Sequence, residues 1–92
     1  MANPKILIVD DEPNIRDLLT TTLRFQGFAV QSVSNGAGTI SAVLAEEPDL
    51  IVLDVMLPDM NGFSVTQRLR AAGYTSPILF VTAKDDTTFS SW

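Results

Sequence analysis

Cysteine and histidine are both missing from this sequence. The first absence excludes disulfides and thiol chemistry. The second removes the commonest general base and the commonest zinc ligand. Basic residues are few, six Lys plus Arg against eleven Asp plus Glu, for a net charge of −5. That balance argues against direct nucleic-acid binding through a basic surface and suits a site that gathers cations. No apolar run approaches the ~20 residues of a membrane span. Asp10 and Asp11 interrupt the N-terminal apolar stretch before it reaches the length of a signal-peptide core. The expected setting is soluble and cytoplasmic, with no membrane contact. Ninety-two residues hold at most one small domain, and a hydrophobic content of 46 % is ordinary for a globular one. No linker, internal repeat or low-complexity segment interrupts it.

The most informative stretch is Leu50-Ile51-Val52-Leu53-Asp54. Four apolar residues in a row read as a strand buried on both faces, as in a parallel sheet. Pro48-Asp49 bounds it before, and Leu57-Pro58-Asp59-Met60-Asn61-Gly62 breaks it after. Lys5 to Val9 is a second such run, ending at Asp10-Asp11. Pro13 suits a helix first turn, and Ile15, Leu18, Leu19, Thr22 and Leu23 recur at helical spacing up to Gly27. Residues 28–33 read as a less buried strand. Ala37, Ile40, Val43 and Leu44 form a weak helical stripe, and Phe63, Val65, Gln67, Leu69 and Arg70 a third, stopped by Gly73. Ser76-Pro77 opens a fourth strand, Ile78–Thr82.

The order βαβαβαβ predicts an α/β fold with a doubly wound parallel sheet and right-handed crossovers. The two continuous apolar strands belong at the centre and the most polar, the second, at an edge. The strand order 2-1-3-4 satisfies both and places the switch point between strands 1 and 3. The ends of those strands carry Asp10, Asp11 and Asp54. Alone, Asp10 and Asp11 fit a helix start and Asp54 a turn. Together, three carboxylates at one sheet edge repel one another, and a divalent cation would relieve that. Oxygen donors without His or Cys favour Mg²⁺. A carboxylate beside Mg²⁺ is also a competent nucleophile for covalent phosphoryl transfer. Thr82, at the end of the neighbouring strand, reads by periodicity alone as an ordinary β-branched strand residue.

Asp10-Asp11 after an apolar strand, Leu53-Asp54-Val55-Met56-Leu57-Pro58-Asp59-Met60-Asn61-Gly62, and Val81-Thr82-Ala83 together resemble the receiver domain of two-component response regulators. Phe25-Gln26-Gly27-Phe28 and the Gly62-Phe63 region resemble most the receivers that are followed by a winged-helix, transcription-regulating domain. The resemblance runs from about Lys5 to Ala83 and implies a flavodoxin-like fold. It implies Asp54 as phosphoacceptor, charged by a sensor histidine kinase. It implies Mg²⁺ held by Asp10, Asp11, Asp54 and the backbone carbonyl of Met56. Thr82 and Ala83 become the switch and phosphoryl-binding positions, and Pro58 and Gly62 shape the loop. Such a module turns over no separate substrate. A phosphatase of related chemistry would need an acid where Met56 stands, and Asp10-Asp11-Glu12 would repel a flavin phosphate.

The sequence also departs from that family. Only ten residues follow Thr82. The family's fifth strand, its Lys-Pro ending and the last helices have no counterpart, so residues 1–83 read as a C-terminally truncated receiver and 84–92 as a polar tail. The family's phosphate-binding lysine belongs to that Lys-Pro ending; here Lys5 opens strand 1, at the wrong end of the sheet for that role, and Lys84 lies two residues past Thr82. Strand 4 would then be an exposed apolar edge, inviting a homodimer or an exchanged assembly. An alternative function follows: an incomplete receiver acting only as a passive association module.

Overall fold

A computed structural model describes residues 3–82 and 88–91. The elements run β1 (Lys5–Val9), α1 (Pro13–Phe25), β2 (Ala29–Val33), α2 (Gly36–Ala45), β3 (Leu50–Asp54), α3 (Gly62–Ala71), β4 (Ile78–Thr82) and β5 (Thr88–Ser91). The sheet order is β2-β1-β3-β4-β5, with β1 to β4 mutually parallel. Order and direction of those four strands are as the sequence predicts. Among the described residues no helix is long and apolar enough to cross a membrane.

The apolar runs become central strands because parallel strands with helices on both faces bury both sides. Leu7, Val9, Ile51, Leu53, Ile78 and Phe80 share a cluster with Val43 of α2 and with Val65 and Leu69 of α3. Ile6, Ile8, Val52 and Val81 face the other way, with Leu19 and Leu23 of α1 against them. This second layer is thin. No residue of α1 is fully buried, and Leu18, which the helical stripe places toward the core, is 65 % exposed.

One expectation is corrected. β4 is not an open edge: Thr88–Ser91 runs antiparallel along it, pairing Val81 with Phe89 and Thr82 with Thr88. Only residues 83–87 separate the two strands, and a parallel return needs a dozen residues or more. Antiparallel pairing is therefore the geometry open to so short a connection. It satisfies the backbone groups that an apolar edge would leave unpaired. The β4 edge invoked for association between copies is thus occupied by the chain's own β5.

Candidate functional site

Register builds the site. Val9 pairs with Leu53, so the residues that follow, Asp10 and Asp54, emerge side by side at the carboxyl edge of the sheet. Asp54 pairs in turn with Val81, which places the Thr82 backbone at the same edge. Asp10, Asp11 and Asp54 each offer a carboxylate oxygen, and these oxygens all lie within 4.8 Å of one another. Asp10 is 2 % and Asp54 9 % exposed, while Asp11 faces solvent.

Local bonds fix the cluster. Asp10 Oδ1 accepts the Glu12 N–H at 2.8 Å, so the helix-capping reading survives only as a bond to the residue ahead of α1. Arg16 Nη1 donates to the Asp10 backbone carbonyl at 2.8 Å. Burial pushes the Asp10 carboxyl above its ordinary value; the Glu12 N–H opposes this, the charges of Asp11 and Glu12 add to it, and Arg16 opposes it. The cluster thus gathers three carboxylates at one edge, and all its donors are oxygens. Those features fit a hard divalent cation.

The loop after Asp54 turns back on itself. The Met56 N–H donates to Asp54 Oδ1 at 3.1 Å, Met56 bridges Asn61, and the Gly62 N–H donates to the Val55 carbonyl at 2.7 Å. A Cβ on Gly62 would stand 2.7 Å from the Asp54 backbone oxygen and 3.0 Å from Val55 Cα. Only glycine permits that approach, because backbone on both sides cannot yield cheaply. Gly62→Ala is expected to destabilise the fold by about 1–3 kcal/mol, the usual range for overpacking. Urea unfolding midpoints measure it, and an unshifted midpoint would show that the loop moves aside freely. Asn61 then opens α3, its side chain accepting the Phe63 N–H at 2.7 Å.

The structure also brings in residues that sequence reasoning did not single out. Asp59, read only as part of a turn, reaches the start of α2, where Asp59 Oδ1 accepts the Gly36 N–H at 2.7 Å and Oδ2 the Ala37 N–H at 2.9 Å. These two N–H groups hold its carboxyl below the ordinary range. Arg16 supplies a cation beside the acids; its position one turn into α1 is the only signal the sequence gives of that. Lys5 is indeed at the opposite end, paired through Nζ with Glu46 Oε1 at 2.9 Å. The Thr82 side chain, Ala83 and Lys84 lie outside the described residues.

Residues 6–91 match the family model of the response regulator receiver domain. The chain is 41 % identical over 80 residues to a probable transcriptional regulatory protein, TcrX, of Mycobacterium tuberculosis, covering 87 % of this chain and 34 % of TcrX. It is 46 % identical over 84 residues to the alkaline phosphatase synthesis transcriptional regulatory protein PhoP of Bacillus subtilis, covering 91 % of this chain and 35 % of PhoP. It therefore spans about a third of the length of these relatives. Among solved structures it resembles the response regulator TrrA of Thermotoga maritima in complex with Mg²⁺–BeF, with TM-score 0.82 and 33 % identity over 89 % of this chain and 71 % of TrrA. TrrA bound to the histidine kinase ThkA gives TM-score 0.82 and 32 % identity, over 90 % of this chain and 72 % of that one. With its parallel strand order and its acidic edge, the chain belongs to the response regulator receiver domain family.

Proposed function

We propose that this chain is a phospho-accepting receiver in which Asp54 takes a phosphoryl group from the phosphohistidine of a sensor histidine kinase in the cytoplasm. The observation that carries the reading is the convergence of Asp10, Asp11 and Asp54 oxygens within 4.8 Å. The TrrA structures with a kinase and with Mg²⁺–BeF support it by likeness. Asp10, Asp11, Asp54 and the Met56 carbonyl would hold Mg²⁺, which when bound offsets the charge of the incoming group and aligns it. The other steps belong to the chain. An Asp54 carboxylate oxygen attacks phosphorus; the new P–O bond forms as the P–N bond to the donor imidazole breaks. The electron pair leaves on that nitrogen, and the product is an acyl phosphate. Pro58 and Gly62 shape the loop beside the nucleophile. Thr82 and Ala83 are the switch positions that meet the phosphoryl oxygens. By the same likeness the output is transcription regulation, carried by a domain other than this one, and the chain turns over no separate substrate.

The alternative is passive association, and one observation favours it: Lys5 is paired with Glu46 at the far end of the sheet and gives the acid site no cation. The test is the intact mass of the folded chain after incubation with Mg²⁺ and a small acyl-phosphate donor. Gain of one phosphoryl group, dependent on Mg²⁺, is expected. A folded chain that gains none overturns the acceptor reading in favour of association.

A further inference from the structure

We propose that Asp59 is a positioning residue of the acid site, its carboxylate clasping the loop between β3 and α3 to the first turn of α2. The proposal rests on the metal reading above and deepens it. That loop carries Met56, whose backbone carbonyl would complete the ligand set, and Met56 itself is 60 % exposed and belongs to neither buried cluster. The carbonyl is therefore held by the loop's ties. At the base these are the Gly62 N–H to the Val55 carbonyl and the Met56–Asn61 bridge. At the tip the tie is Asp59, spanning to Gly36 and Ala37, 23 and 22 residues away in sequence.

A second observation is independent of those bonds. A Cβ on Gly36 would run into the Met60 side chain and lie 3.0 Å from Val65 Cγ2. The bare backbone of Gly36 lets Met60 lie flat against the helix start, beside Asp59. Met60 packs in turn against the buried cluster that holds Leu53 and Val65. The clasp also does more than cap α2, which has its own cap: Asn35 Oδ1 accepts the Gly38 N–H at 2.6 Å. Asp59 takes the two earlier N–H groups that Asn35 leaves. Two orphan donors of one helix thus fix the tip of a loop from another element, with geometric specificity that a single bond would lack. Residues that orient a ligand without touching the metal commonly set much of its affinity.

The test follows amide signals of the full chain by NMR, first without metal and then through a Mg²⁺ titration, for the native chain, Asp59→Ala and Asp59→Asn. Asp59→Ala is expected to lose exchange protection at Gly36 and Ala37 and to weaken Mg²⁺ binding on the order of tenfold. Asp59→Asn, which keeps one acceptor oxygen, is expected to fall between the native chain and Asp59→Ala on both readouts. A merely structural cap would lose the protection and leave Mg²⁺ affinity where it was, which overturns the positioning role. Protection unchanged in both variants overturns the clasp itself. A native chain whose amides near Asp54 do not respond to Mg²⁺ overturns the metal reading, and the positioning role with it, while the exchange data still report the clasp.

Discussion

Asp54→Asn is expected to abolish phosphoryl incorporation from an acyl-phosphate donor while the chain stays folded. The amide oxygen of asparagine can still accept the Met56 N–H that Asp54 accepts at 3.1 Å, so the loop keeps that tie. It loses the anionic oxygen that attacks phosphorus, and an amide is no substitute because its lone pair is delocalised into the carbonyl. The substitution also removes one of three clustered like charges, which relieves repulsion. Intact mass and circular dichroism on one sample separate the two effects. Residual labelling at native stoichiometry would move the acceptor to another residue. Loss of the fold together with loss of labelling would show that Asp54 is first a structural residue.

Asp10→Asn is expected to act in opposite directions with and without metal. Asp10 is buried, and its carboxyl is raised chiefly by desolvation. An acid whose folded value lies above its unfolded one binds protons more readily when folded, so its ionised form subtracts from stability at neutral pH. Asparagine removes that penalty, keeps an oxygen for the Glu12 N–H, and presents N–H donors in place of a third negative charge. Without metal, the midpoint of thermal unfolding should therefore rise, by ~4 °C or more if the gain is about 1 kcal/mol in a domain of this size. With Mg²⁺, the native chain should gain about 2.7 kcal/mol at a concentration 100 times the dissociation constant. The variant should lose most of that gain, because a neutral amide is a poor ligand for a hard cation. Thermal unfolding at several Mg²⁺ concentrations measures both. A variant that keeps the full metal shift would place the cation elsewhere, and one destabilised without metal would show that the Asp10 charge serves the fold.

The sequence by itself determined the frame. Continuous apolar runs of four residues can be buried only between two layers, so β1 and β3 had to be central, and strand–helix alternation made the sheet parallel. From that order alone Asp10, Asp11 and Asp54 fall at one edge, because register carries the residues after Val9 and Leu53 to the same height. Three features needed the tertiary structure. Strand β5 is polar in composition and has no periodicity to announce it; it forms because β4 presents unpaired backbone groups within reach of a five-residue connection. The exposure of Leu18 was hidden because a helical stripe records spacing and not the width of what packs against it. Asp59 looked like any turn residue, since its partners lie more than 20 positions away, and a bond between a loop tip and a distant helix start leaves no local pattern. Local chemistry and periodicity are written along the chain, whereas long-range polar pairing exists only once the elements are packed.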